Sequence, residues 1–143
     1  MLWFVGLGLS GIESISIETQ KLLEDADVVY LEQFTSPISK SELTKIKKIV
    51  KGEFKIGKRW IVEDGKEILN NSKKKMVLLL TYGDPYIATT HIELRTRAIK
   101  DKIKTNTIHA ASSITALVGE CGLHYYKVGR IVTMTNDLKS MTT

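Results

Sequence analysis

A glycine, an aspartate and a proline stand together at Gly83, Asp84 and Pro85, shortly after the apolar run MVLLL of residues 76–80. An ionised aspartate only accepts hydrogen bonds, and a following proline disfavours a helical backbone at that aspartate. Because glycine has no side chain, a ligand can approach the main chain at Gly83. The same tripeptide also suits an ordinary turn between a strand and a helix, so by itself it leaves a ligand site and a simple turn equally open.

The chain alternates between strand and helix patterns. The unbroken apolar run at residues 76–80 is typical of a strand buried on both faces, as in a parallel sheet covered by helices. This alternation predicts an α/β fold in which a doubly wound, mostly parallel sheet carries helices on both faces. The other predicted strands are residues 2–7, 28–32, 54–56, 105–109 and 130–134. Three helices are predicted at residues 16–26, 43–50 and 62–71. A fourth helix starts at about residue 91, with Thr89 and Thr90 as candidate caps, and a fifth is opened by Ser112 or Ser113 and stopped by Gly122.

Three loops follow strands that end at the same edge of this predicted sheet. They are residues 6–11, 81–85 and 109–113, and each is rich in glycine or in polar side chains. In doubly wound sheets, ligands bind outside the carboxyl ends of the strands. Three such loops together therefore favour a site for a small polar ligand over three unrelated turns.

The first of these loops also matches a dinucleotide-binding pattern. Gly6, Gly8 and Gly11 have the GxGxxG spacing, and Glu32 ends the second predicted strand about twenty residues later. In dinucleotide-binding domains the third glycine lies at the opening of the helix, whereas here several residues separate Gly11 from the predicted helix. The pattern also leaves the Gly-Asp-Pro loop without a role. A Rossmann-type domain of an NAD- or FAD-dependent oxidoreductase therefore stands as the alternative interpretation.

Length and composition indicate one soluble globular domain. The 143 residues are 43% hydrophobic and 26% charged, which is enough for a sizeable core. The single cysteine, Cys121, rules out an intramolecular disulfide, and with three scattered histidines it does not make a metal site. No apolar run reaches membrane-spanning length and no basic leader precedes the apolar start, so a cytoplasmic protein without a membrane partner is predicted.

The net charge of +5 comes largely from basic residues between positions 45 and 59, with a further run at residues 73–75. A basic surface attracts nucleic acid through long-range electrostatics. However, no aromatic residues interleave with these lysines as a stacking platform for bases would require. We therefore predict solvated helix faces and no direct binding of nucleic acid.

Four sequence blocks carry a more specific resemblance. They are FVGLGLSG at residues 4–11, LEQFTS at 31–36, GDPYIATTH at 83–91 and HAASSITALVGECGLHYYKVG at 109–129. Together they resemble the N-terminal domain of the diphthine synthases, within the wider tetrapyrrole-methylase-like class of methyltransferases. Corrin and porphyrin methylases share the glycine loop and the Gly-Asp-Pro turn, whereas the TTH after that turn and the last block are typical of the diphthine branch.

The resemblance implies a reaction, a cofactor and a partner. Diphthine synthases methylate the amino group of a modified histidine in translation elongation factor 2 during diphthamide biosynthesis, with S-adenosyl-L-methionine as the methyl donor. The family also suggests a homodimer. The cofactor contacts, carried over position by position, are expected at Leu9, Asp84, Ile87, Ser112 and Ser113.

No catalytic side chain is assigned from the sequence. A sulfonium is already an activated leaving group, so such an enzyme mainly has to hold an uncharged amine in line with the methyl carbon. The amine can lose its proton in solvent before it binds. His91 opens a predicted helix, where a histidine more often packs or caps than catalyses, and His109 and His124 are weaker candidates still.

The resemblance also concerns domain organisation. It implies two α/β domains with the cofactor between them, so residues 1–135 are expected to form the N-terminal methyltransferase domain and residues 136–143 to begin a linker. On this expectation, the second domain is absent from this chain. We therefore expect a fragment that keeps half of the cofactor pocket and has reduced or no activity alone. Because Asp84 lies at a strand end, its removal is expected to weaken cofactor binding with little loss of stability.

Overall fold

A parallel sheet of five strands organises the first part of the chain. The computed structural model describes residues 1–35 and 38–132, and the chain divides into two compact units, Met1–Ser113 and Ile114–Thr143. Within the first unit the strands lie in the order β3-β2-β4-β1-β5, and every neighbouring pair is parallel. The strands are β1 (Leu2–Gly6), β2 (Val28–Glu32), β3 (Glu53–Gly57), β4 (Val77–Thr81) and β5 (Thr105–Ile108).

Helices connect these strands and continue into the second unit. A short 3-10 helix, Gly11–Ser14, precedes α1. The second unit contains most of α6 and a 3-10 helix at Tyr125–Lys127. The α-helices are α1 (Ile17–Asp25), α2 (Lys40–Ile49), α3 (Arg59–Asp64), α4 (Lys66–Ser72), α5 (His91–Lys100) and α6 (Ser113–Glu120).

Strand β4 is buried on both faces, as the apolar run at residues 76–80 predicts. All five of its residues are buried, and the four residues from Val77 to Leu80 alternate between two hydrophobic clusters. Leu79 packs in the cluster that includes residues of α3, α4 and α5, whereas Leu80 packs in the cluster that includes residues of α1 and α2. Since side chains alternate along a strand, this split places helices on opposite faces and confirms the doubly wound fold.

Two predicted elements differ in the structure. The single helix predicted at residues 62–71 is two helices, α3 and α4, because Gly65 between them has a φ of +65° and its amide closes α3 on the Ile61 carbonyl. The strand predicted at residues 130–134 is not formed at 130–132, and its other residues lie outside the described part of the chain. The expected linker at 136–143 and the domain end at 135 also lie outside the described residues.

The chain leaves β1 and β4 toward opposite faces of the sheet. After β1 it crosses to β2 through α1, and after β4 it crosses to β5 through α5, although β1 and β4 are neighbours. Such a divergence opens a crevice at the carboxyl ends of the two strands. Among the described residues, none of the helices is long and apolar enough to cross a membrane.

Candidate functional site

The loops after β1 and β4 are joined by backbone hydrogen bonds beyond the ends of their strands. Leu7 N donates to Thr81 O at 2.8 Å, and Gly8 and Gly83 exchange N–H···O bonds of 3.3 and 2.9 Å. The loop after β5 joins them through Ala110 N, which donates to the Asp84 side chain at 3.3 Å. The three polar strand ends predicted from the sequence therefore form one edge.

Glycine is required where these loops meet. A Cβ atom on Gly6 would lie 2.6 Å from Gly83 O and 2.8 Å from Ala110 Cβ, which is closer than nonbonded atoms approach. Gly8 has a φ of +66°, in the left-handed region that favours glycine. The spacing of the first two glycines thus serves the contact between loops.

Ser14 stabilises the glycine loop from within. Its Oγ lies 2.9 Å from Leu7 O and 3.1 Å from Gly11 O, and it accepts a hydrogen bond from Ser10 N at 3.2 Å. One hydroxyl thus bonds three backbone groups of the loop. Sequence reasoning missed this role, although a serine just after a glycine-rich turn is a common partner for free backbone groups.

Glu42 of α2 holds the same loop from outside. Its Oε1 accepts from Ile12 N at 2.6 Å, and the carboxylate also bonds the Tyr82 hydroxyl. Burial, together with the nearby Glu42 charge, raises the pKa of Tyr82 to about 12, so the phenol stays protonated at neutral pH. Helix α2 therefore sets the position of the glycine loop.

A cleft of about 310 Å³ lies beside these loops, entirely within the first unit. Its walls combine main chain from the loops after β1 and β5 with hydroxyl groups and small or aliphatic side chains. Such a lining suits a ligand that has both apolar and hydrogen-bonding parts. The lining residues are Gly6, Gly8, Leu9, Ser10, Ser14, Ile15, Ser16, Thr19, Ile108, His109, Ala110 and Ala111.

Asp84 joins the loop after β4, in which it lies, to the loop after β5, and we call this set of hydrogen bonds the Asp84 clamp. Only 5% of the residue is exposed, and both of its oxygens accept hydrogen bonds. Oδ1 accepts from Tyr86 N at 2.9 Å, whereas Oδ2 accepts from Ala110 N at 3.3 Å and lies 2.7 Å from His109 Nδ1. A direct contact between Asp84 and a ligand stays a prediction, but its structural role is larger than its place at a strand end indicates.

Of the other predicted site residues, Leu9 lines the cleft, whereas Ile87, Ser112 and Ser113 are not among its lining residues. Leu9 is 49% exposed. Ser112 is buried directly after the lining residue Ala111, and the exposed Ser113 begins α6. Ile87 lies in the turn after Asp84, partly exposed. Their contacts with a ligand stay predictions.

His109 lies in the cleft, although the sequence favours it less than His91 as a candidate. Its side chain is 68% exposed, lines the cleft and bonds the nearly buried Asp84 carboxylate. The Tyr86 ring meets the imidazole edge-on at 5.7 Å between centroids, and Tyr86 OH bonds Thr107 Oγ1 at 2.7 Å. The detectable signal was topological: both His109 and Asp84 follow strands that end at the same edge.

His91 is a packing group at the start of α5, as the sequence favours. It is 1% exposed, and its Nδ1 lies 3.3 Å from Thr81 Oγ1. Burial lowers the pKa of His91, and this effect exceeds the opposing influence of Glu32 and the Pro85 carbonyl. Of the two candidate caps, Thr90 makes no side-chain capping bond, whereas Thr89 Oγ1 accepts from His91 N at 3.5 Å and also donates to Pro85 O.

The dinucleotide interpretation loses both of its supports. Helix α1 begins at Ile17, well after Gly11, so the glycine loop does not open that helix. Glu32 is 1% exposed, and its carboxylate accepts from Phe34 N and Thr35 N, both at 2.6 Å. It is thus used by its own loop and cannot bond a ribose in this conformation.

The chain belongs to the Tetrapyrrole (Corrin/Porphyrin) Methylases, because the model of that family matches residues 1–143. Within the family it is 38% identical to the diphthine synthase of Methanothermobacter thermautotrophicus over 134 residues, which are 94% of this chain and 51% of the relative. It is also 38% identical to the diphthine methyl ester synthase of Candida glabrata over 135 residues, which are 94% of this chain and 45% of that relative.

The fold agrees with the same comparison. A crystal structure of diphthine synthase superimposes with a TM-score of 0.80 at 36% identity, and the match covers 90% of this chain and 51% of the other. The resemblance to diphthine synthases and the fold class expected from the sequence are therefore confirmed. The chain spans about half the length of these relatives.

The first prediction concerns the Asp84 clamp. Replacing Asp84 by alanine removes the acceptor of Tyr86 N and Ala110 N, so we expect the free energy of unfolding to fall by about 1–3 kcal/mol. Urea unfolding without ligand measures it. The matched control is Asp64→Ala, which removes an exposed carboxylate paired with Lys66 at 3.0 Å and should leave the free energy of unfolding nearly unchanged. Equal, small losses in both variants would contradict the clamp.

The second prediction concerns the buried His91. Its lowered pKa means that the unfolded chain binds more protons near the ordinary histidine pKa of about 6.5, so folded stability falls as pH decreases below that value. In His91→Gln this part of the pH dependence should disappear, as measured by urea unfolding between about pH 8 and pH 5. The exposed His124 gives the control, since His124→Gln should keep the wild-type slope. An unchanged slope in His91→Gln would overturn the assignment.

Proposed function

We propose that this chain carries the methyl-donor site of an S-adenosyl-L-methionine-dependent methyltransferase of diphthamide biosynthesis. One observation carries the proposal: the cleft between the loops after β1 and β5, held by the Asp84 clamp, lies in a chain that is similar along its length to diphthine synthases. The acceptor is the amino group of a modified histidine in translation elongation factor 2. Because this factor works in translation, we place the reaction in the cytoplasm.

The residues of the cleft fit this cofactor. Aliphatic groups from Leu9, Ile15 and Ile108 suit the apolar faces of a nucleoside, and the hydroxyl of Ser10 suits its polar groups. The absence of side chains at the glycine positions lets a ligand approach the main chain. When bound, S-adenosylmethionine supplies a methyl group on an activated sulfonium. The proposed contacts are Leu9, Asp84, Ile87, Ser112 and Ser113.

The length comparison supports a further part of the proposal. Since the relatives are about twice as long as the matched region, we propose that the described cleft is one wall of the donor site. This chain alone should then have a lower affinity for the cofactor, and less activity, than a relative of full length. A homodimer, as the family suggests, remains part of the proposal.

The third prediction tests the cofactor. Calorimetry should detect binding of S-adenosylhomocysteine and no binding of NAD, because Glu32 is occupied by its own loop. Leu9→Ala should weaken S-adenosylhomocysteine by up to about tenfold, since it removes part of an apolar wall whose full burial is worth about 1.5–3 kcal/mol.

The control for this prediction is Leu117→Ala. Leu117 is also an exposed leucine, at 63%, but it lies in α6 and does not line the cleft. Its replacement should leave the affinity unchanged. Binding of NAD in preference to S-adenosylhomocysteine, or equal losses in both variants, would contradict the proposed site.

The fourth prediction tests the acceptor. Labelled methyl groups from S-adenosylmethionine should appear on elongation factor 2 that carries the modified histidine, and not on a factor in which that histidine is replaced. The name of the Candida glabrata relative specifies a methyl ester, so the product has to be distinguished from an ester. A methyl group on nitrogen survives mild base, whereas an ester is hydrolysed. Label that is lost in base, or that is independent of the histidine, would contradict the proposed acceptor.

A further inference from the structure

We propose that His109 takes the proton from the acceptor nitrogen at its Nε2 atom, with Asp84 as the residue that positions it. This inference rests on the proposed function, because the acceptor is an amine that must lose its proton before it is methylated. The sequence alone assigns no such group.

The geometry combines a buried carboxylate with an imidazole that reaches solvent. His109 Nδ1 lies 2.7 Å from Asp84 Oδ2, and the side chains are 68% and 6% exposed, respectively. The carboxylate is held in turn by two main-chain amides, those of Tyr86 and Ala110. A side chain fixed at one nitrogen and open at the other is suited to exchanging protons with a ligand.

The hydrogen bond selects the tautomer. An ionised carboxylate accepts only, so the neutral imidazole donates through Nδ1–H and carries its lone pair on Nε2. Because Nδ1 is directed to Asp84 and His109 lines the cleft, Nε2 is the nitrogen left to meet a ligand. Asp84 thus holds the loop that lines the cleft and also orients the His109 ring.

The proton transfer balances without another reactant. The N–H bond of the acceptor ammonium breaks, its electron pair stays on nitrogen, and the proton bonds to Nε2. The imidazolium that forms carries a positive charge, which the Asp84 carboxylate compensates. Since the side chain is exposed, it returns the proton to solvent, and the same step can serve each further methylation of that nitrogen.

The groups around the ring do not compete for this role. The His109 ring bonds the Asp84 carboxylate and meets the Tyr86 ring edge-on. Burial raises the pKa of Tyr86, so its phenol is neutral at physiological pH and is bonded to Thr107. His91, the other histidine of the first unit, is 1% exposed and does not line the cleft.

The first part of the test uses the chain without ligand. Nuclear magnetic resonance of histidine ring nitrogens, assigned with His109→Gln, should show His109 in its neutral form as the Nδ1–H tautomer. A predominant Nε2–H tautomer would overturn the proposal, because that nitrogen would then have no lone pair to accept a proton. This measurement is independent of methyl transfer.

The second part measures methyl transfer to elongation factor 2 as a function of pH. His109→Gln should lower the rate by about 10² to 10⁴-fold at the acidic end, and the loss should narrow as pH rises, because solvent then deprotonates more of the acceptor amine. Its affinity for S-adenosylhomocysteine should stay within a few-fold of the wild-type value. The matched control is His124→Gln, an exposed histidine outside the cleft, which should keep the wild-type rate.

The outcomes separate the two proposals. Binding of NAD in preference to S-adenosylhomocysteine contradicts the proposed function. A wild-type chain that transfers no methyl group agrees with the lower activity proposed for this chain alone, and the tautomer then decides the proposal for His109. An active wild-type chain whose rate His109→Gln leaves unchanged overturns the proton acceptor alone. If the rate of His109→Gln is lowered equally at every pH, and its affinity for S-adenosylhomocysteine falls in parallel, then His109 serves binding. That result also overturns the role of His109 as the proton acceptor.

Discussion

The hydrogen bonds of the buried Asp84 carboxylate hold together the edge of the sheet beside the cleft. Parallel strands bring their carboxyl ends to one edge, but the ladder itself ends with the strands. Beyond it, Asp84 draws the loop after β5 toward the loop after β4, because a carboxylate removed from water needs hydrogen-bond donors. The cost of an unpaired charge thus sets the spacing of the loops.

The glycine loop obeys a complementary constraint. Asp84 bonds the loop after β5, and Gly6 lets that loop come close because it has no Cβ atom to clash with Ala110. The backbone of Gly8 pairs with that of Gly83. The hydrogen bond from Ala110 N to Asp84 and the close approach of Ala110 to Gly6 therefore concern the same part of the loop after β5. At these glycines the wall of the cleft is main chain, so its shape there depends little on side-chain rotamers. Ser14 and Glu42 secure it from within and from α2.

The parts of the structure that follow from local pattern were predictable from the sequence. The apolar run at residues 76–80 and the alternation of elements predict the doubly wound sheet, because a strand buried on both faces has apolar residues at consecutive positions. The break at Gly65 was harder to predict, since Val62 and Leu69 on its two sides keep a seven-residue helical spacing and the left-handed conformation of Gly65 separates the helices. The link between Asp84 and His109 was not predicted because it joins loops far apart in sequence, and residue types alone do not reveal a hydrogen bond.

The order of the strands has a consequence for how the chain folds. The first strand is an interior strand of the sheet, between β4 and the edge strand β5, and Leu2 pairs with both Val77 and Thr105. Its partners are synthesised long after it, and contacts so distant in sequence close slowly. Until they emerge from the ribosome, the apolar residues 2–7 have no sheet neighbour, so the nascent chain must keep this segment from aggregating. The edge of the sheet that builds the cleft is therefore among the last parts of the first unit to form.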